Sequence, residues 1–153
     1  MSTPDFLDMI DALRAHAVRF LIVGGYAVGV HGHPRATKDL DVWVEATAEN
    51  ARRLLDALRD FGAPLHGLSA EDFAREGTGL QIGVPPGRID VVTQVSGLAF
   101  ADAWPRRLEA AVFERPGCPI LGRDDLIQNK RASGRLQDLA DVEALEAIAA
   151  QGG

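Results

Sequence analysis

Apolar positions recur at helical spacing over residues 4–14, where Phe6, Leu7, Ile10 and Leu13 share a face. Thr3 stands as a cap and Pro4 at the first helical position, where a missing N–H costs nothing. The next apolar run, Phe20-Leu21-Ile22-Val23, is short, continuous and stopped by Gly24-Gly25, as a buried strand would be. Residues 26–30 open a second helix, which Gly32-His33-Pro34 breaks. Residues 40–44 alternate apolar and polar and predict a strand. Residues 47–61 place Ala51, Leu54, Leu55 and Leu58 on one helical face, and Gly62 ends that helix. Residues 78–84 and 88–93 predict two strands joined by a Pro85-Pro86-Gly87 turn, hence a hairpin. Residues 110–114 and 119–121 are short extended candidates. Residues 124–130 and 136–150 are helical, parted around Ser133-Gly134. The order predicts a single α+β domain over residues 1–153, with helices flanking a mixed sheet and no repeat or linker.

Composition narrows the class. Hydrophobic residues make up 46% of the chain and charged residues 25%, which supports a packed core rather than disorder. The formal net charge of -6 argues against a surface that grips nucleic acid throughout, although a local basic patch or a metal ion could still meet phosphate. The lone Cys118 has no partner for an internal disulfide, which points to a reducing cytoplasmic setting. The acidic start of the chain is unlike a signal peptide, and the near-apolar run 20–30 is too short to cross a bilayer, so no membrane is expected.

The candidate chemistry lies in carboxylates. Asp39 and Asp41 are two apart in a predicted strand and therefore share a face, where they repel unless a cation lies between them. Oxygen donors of this kind suit Mg2+ or Mn2+. Leu40, Val42 and Val44 face the core, while Trp43 shares the aspartate face. Alone, the Asp-x-Asp pattern is equally a strand-end cap beside a solvated acid. Three features add weight. Gly24-Gly25 sits between a strand and a helix, where glycine lets backbone amides approach a phosphate. Asp90 is embedded among Ile89, Val91 and Val92, a costly place for an acid without a role. His31, His33, Arg35, Thr37 and Lys38 lie between the glycines and the aspartates and could meet phosphates, or form a solvated loop. The two histidines make no zinc site, since no further Cys or His accompanies them.

The combination Val23-Gly24-Gly25, thirteen residues, Asp39-Leu40-Asp41 and a strand aspartate at Asp90 resembles the DNA polymerase beta-type nucleotidyltransferase superfamily. The stretch 24–41, with its His31-Gly32-His33-Pro34-Arg35-Ala36-Thr37-Lys38, is similar to the AbiEii-type toxin branch, as is Lys130-Arg131-Ala132-Ser133-Gly134-Arg135 followed by Asp138 and Asp141. The resemblance implies a nucleotidyltransferase fold and a metal-dependent transfer of a nucleoside monophosphate from an NTP. It implies Asp39, Asp41 and Asp90 as metal ligands and catalytic residues, with Asp90 as base. Gly24, Gly25, Arg35, Thr37, Lys38 and Lys130 would then bind nucleotide, while Asp138 and Asp141 are structural or pair with Arg131 or Arg135. Two departures stand out: Gly-Gly replaces a common Gly-Ser, and the long helical C-terminal part of AbiEii-type toxins is missing, so acceptor binding would fall to a partner chain or homo-oligomer.

The leading expectation is therefore a transferase acting on an RNA end or protein hydroxyl, within a toxin–antitoxin or phage-defence system. A second is a catalytically weak partner or antitoxin that uses the fold to bind a protein. A third is transfer to a drug-like hydroxyl, for which the sequence defines no pocket.

Overall fold

The computed structural model describes residues 3–34, 39–84 and 87–152. Helix α1 (Thr3–Ala15) leads into β1 (Phe20–Val23), all four of whose residues are buried. Helix α2 (Gly24–Val30) follows without a loop, then β2 (Leu40–Val44) and α3 (Ala48–Phe61). The short α4 (Ala70–Phe73), β3 (Gly79–Ile82), β4 (Ile89–Val92) and α5 (Phe100–Ala103) come next, with a 3-10 turn at Trp104–Arg106. Strands β5 (Leu108–Val112) and β6 (Arg115–Ile120) precede α6 (Arg123–Ser133) and α7 (Leu136–Gly152).

The six strands form one mixed sheet in the order β3-β4-β2-β1-β6-β5. Strand β1 runs antiparallel to β2 and parallel to β6, β2 runs parallel to β4, and β3–β4 and β5–β6 are antiparallel pairs. The alternation in β2 resolves as expected: Leu40, Val42 and Val44 are fully buried. Trp43 is buried as well, packed edge-on against Phe100 at 5.1 Å between ring centroids. Helix α1 packs against α3, and α6 against α7. Thr47 caps α3 by accepting from the Asn50 amide, and Gly62 closes it in the left-handed region.

Most predicted elements stand where the patterning puts them, with ends moved by a residue or two. Helix α2 starts at Gly24 rather than Tyr26. The β3–β4 hairpin is present, while Pro85 and Pro86 of its predicted turn lie outside the described residues. The segments at 110–114 and 119–121 become a hairpin, β5–β6, that also joins the main sheet.

Candidate active site

Strand pairing builds the site. Asp41 of β2 is the direct register partner of Asp90 in the parallel strand β4. Two aspartates at one register position of neighbouring strands present their carboxylates side by side on one face. Asp90 alternates with fully buried Ile89 and Val91, so the strand turns it away from the core.

On its other side Asp41 pairs with Val23, the last residue of β1, directly before the glycines. Gly24 has φ +68, and a Cβ built there would lie 2.2 Å from Asp41 Oδ2. Only glycine meets both demands, the left-handed backbone and the absent side chain. Val23, at the N-cap position, has no side-chain acceptor and makes no cap bond to α2, whose first residue lies against the aspartate.

Asp39 sits at the same end of β2 but is directed elsewhere. Its Oδ1 accepts from the backbone N–H of Gly87 at 3.1 Å and of Arg88 at 2.9 Å. The Arg88 guanidinium lies among the acids, donating from Nε to Asp90 Oδ2 at 3.0 Å and reaching within 3.9 Å of Asp39 Oδ2. Burial, followed by a hydrogen bond with Asp90 and its charge, pushes the Asp41 carboxyl up to about 7. Burial, and then the charge of Asp39, also raise the Tyr26 phenol.

Does a divalent cation fit? The donors are hard carboxylate oxygens, as Mg2+ and Mn2+ prefer. Asp90 Oδ1 is buried and, once Asp41 is ionised, has no hydrogen-bond donor among the described residues. An acceptor left without a donor is costly, and a cation would satisfy it. Arg88 supplies positive charge to the same carboxylates. As they stand, however, no three His, Cys, Asp or Glu side chains among the described residues are gathered closely enough to hold a metal. The site fits a cation at the Asp41–Asp90 pair, and Asp39 adjoins it through the Gly87–Arg88 backbone.

The remaining candidates divide. Gly24 and Gly25 open α2 beside the pair. Arg35, Thr37 and Lys38 lie outside the described residues. His31 is tied structurally, its Nε2 hydrogen-bonded to the Leu121 carbonyl oxygen at 2.7 Å. Lys130, expected at the nucleotide, is instead buried, with its ammonium 3.2 Å from Asp138 Oδ1 and 3.0 Å from Asp141 Oδ2. Burial opposes the charge on Asp138, but hydrogen bonds from Arg135, Lys130 and Ser133 outweigh it and hold the carboxyl near about 2. Asp138 does pair with Arg135, whose Nε donates at 2.8 Å and whose guanidinium otherwise stays exposed. The Asp138 hydrogen bond and charge raise the Arg135 guanidinium, and the Asp41 charge adds to them.

Patterning missed Arg88, His66 and Gln81. Arg88 stands two residues before Asp90 on an extended strand, a spacing that would have placed the two on one face. His66 and Gln81 line a cleft of about 670 Å³ beside Asp41 and Asp90. No local sequence signal ties either residue to the aspartates.

A mixed sheet bearing paired strand aspartates next to a glycine turn is the core of a nucleotidyltransferase. A family model described as "Nucleotidyltransferase of unknown function (DUF6036)" matches residues 6–150, and the chain belongs to that family. Among solved structures, it is similar to the lincosamide antibiotic adenylyltransferase LnuA with lincomycin bound. That match has a TM-score of 0.62 at 15% identity and covers 97% of this chain and 98% of that one. It is also similar to the antibiotic-resistance factor ANT(2'')-Ia in solution, with a TM-score of 0.60 at 14% identity over 98% of this chain and 83% of that one. ANT(2'')-Ia in complex with adenylyl-2''-tobramycin gives 0.57 at 15%, over 98% and 97%. No curated protein matches by sequence. These likenesses bear out the α+β nucleotidyltransferase fold. No described helix is long and apolar enough to cross a membrane.

Proposed function

We propose that the chain is a metal-dependent nucleotidyltransferase that moves a nucleoside monophosphate from an NTP to an acceptor hydroxyl, with Asp41 and Asp90 at its centre. The observation that carries this reading is their register pairing, with Gly24 packed against Asp41 and a buried Asp90 oxygen lacking a donor. Asp90 takes the proton of the attacking hydroxyl. The hydroxyl oxygen bonds to the α-phosphorus, and the bond to pyrophosphate breaks in line. Gly24 and Gly25, at the start of α2 beside Asp41, would let backbone N–H groups meet the triphosphate oxygens, and exposed Arg135 would add positive charge. Lys130 acts at one remove, by fixing the α6–α7 corner that carries Arg135. Mg2+ or Mn2+, held by Asp41 and Asp90 with Asp39 alongside, would stabilise charge on the attacking and leaving oxygens.

Cys118, the sole cysteine, can form no internal disulfide, which supports a cytoplasmic setting. For the acceptor, the antibiotic adenylyltransferases similar in fold favour a small hydroxyl compound over the RNA end or protein hydroxyl expected from AbiEii-type kinship. A second reading, a weakly catalytic partner protein in a toxin–antitoxin pair, draws on the turning of Asp39 toward backbone amides. Incubation with each α-labelled NTP and Mg2+, plus total RNA, total protein or a small-molecule extract, separates them. Label in any fraction supports transfer and its location names the acceptor class. No label from any NTP, with no heat on titrating Mg-NTP, supports the partner reading.

A further inference from the structure

Resting on the nucleotidyltransferase reading, the geometry points to the cleft on the β3–β4 side of Asp90 as the acceptor seat. Its occupant is a small neutral or cationic polyhydroxyl compound, held by His66 and Gln81.

The sheet order separates two sides of the carboxylate pair. Strand β1 and the glycine turn flank Asp41 on one side, while β4 and then β3 lie on the other. In the proposed function the triphosphate lies on the first side. The cleft lies on the second, floored by Gly79 and Gln81 of β3 and by Asp90 and Val92 of β4. Gln81 is the register partner of Asp90, which puts its amide next to the group that takes the proton.

Size and charge define the occupant. A volume of about 670 Å³ suits a drug-sized molecule. The charged groups lining it are Asp41 and Asp90, with no Lys or Arg among the described lining residues. The acids Asp41 and Asp90 in the lining attract a cationic compound and admit a neutral one, while the Arg88 guanidinium beside them is already engaged with Asp90. A second cleft of about 790 Å³ shares Gly79 and Val92 with the first and presents Thr78, Gln94, Ser96 and Asp102. Its polar lining gives the distal part of a polyol somewhere to bind.

The backbone holds His66 in place at the rim. Leu65 to Leu68 form a tight turn closed by the Leu68 N–H to the Leu65 carbonyl oxygen at 2.9 Å. Both central residues are left-handed, His66 at φ 51 and Gly67 at φ 81. The His66 ring and the Gln81 amide both line the cleft and carry groups that can donate to and accept from hydroxyls.

Two variants test this. Cys118 is the sole cysteine and is buried, so Gln81→Cys gives one accessible thiol for maleimide, and the adduct fills the cleft. Labelled protein should bind Mg-NTP within about twofold of wild type and lose transfer. His66→Asn keeps a residue that tolerates positive φ and should raise acceptor KM about tenfold, leaving the KM for NTP unchanged. The acceptors are hexoses, hexosamines and aminocyclitols, set against an oligoribonucleotide with a free 3′ hydroxyl. Loss of Mg-NTP binding on labelling, or transfer to the oligoribonucleotide alone, overturns the proposal and leaves the transferase reading intact. Mg-NTP binding with transfer to none of the small acceptors also overturns it. Failure of the wild type to bind Mg-NTP removes the underlying reading instead.

Discussion

Gly24 stands so close to Asp41 that a methyl group at position 24 would fall 2.2 Å from the carboxylate oxygen Oδ2. This contact joins the glycine turn to the carboxylate pair as one unit. Gly24→Ala must therefore move Asp41 as well as strain a backbone at φ +68. A stability loss of about 1–2 kcal/mol and an activity loss of ~10²-fold are expected. Thermal unfolding and steady-state kinetics on one preparation check both.

Asp41 makes the protein without metal sensitive to pH. Its folded value of about 7 exceeds the ordinary aspartate value of 3.8, so between those limits the folded state binds more protons than the unfolded one. The stabilising contribution is complete below about 4 and is lost as pH rises through about 7. Mg2+ binding expels the Asp41 proton, so metal affinity should rise with pH across the same window. Titration calorimetry in two buffers of different ionisation enthalpy should show proton release near neutrality. Asp41→Asn should abolish it.

Lys130 is expected to govern stability more than nucleotide affinity. Its ammonium lies between the buried acids Asp138 and Asp141, and removing one partner of a buried ion pair costs about 3–5 kcal/mol. Lys130→Met should lower the unfolding midpoint strongly and, well below that midpoint, bind Mg-NTP nearly as wild type does. The Arg135→Ala variant should show the reverse: a smaller stability loss and weaker Mg-NTP binding. Denaturation curves paired with nucleotide titrations distinguish the two.

Arg88 occupies the carboxylate site as a built-in cation, bonded to Asp90 and near Asp39. Its guanidinium competes with a metal for the same oxygens. Arg88→Ala should tighten Mg2+ binding several-fold in the absence of nucleotide, because one unit charge is removed from beside the site. Direct Mg2+ titration of the two proteins checks this.

How much of this was legible beforehand differed by element. Strands β1, β2 and β4 carried strong apolar or alternating patterns, and the aspartates and glycines fell on them, so their spacing led to the site. The β5–β6 hairpin was poorly visible for two reasons. Its turn uses Phe113 and Glu114 at positive φ in place of glycine or asparagine, and β6 contains Pro116 and Pro119. Helices α4 and α5 have four residues each, too few to show a period. The partners of Lys130 depend on how α6 packs on α7, and Asp39's orientation depends on the backbone at Gly87 and Arg88. Both are tertiary relationships that local spacing does not encode.

In the proposed function Asp41 and Asp90 together carry nucleotidyl transfer. The most direct measurement is Mg2+-dependent pyrophosphate release from each NTP, in the presence of a small-molecule extract, by wild type and by Asp90→Asn. The account predicts release by wild type and a fall of ~10³-fold in the variant, the combined effect of losing a base and a metal ligand. Equal rates from the two proteins would contradict it, as would no release by wild type with any of the NTPs.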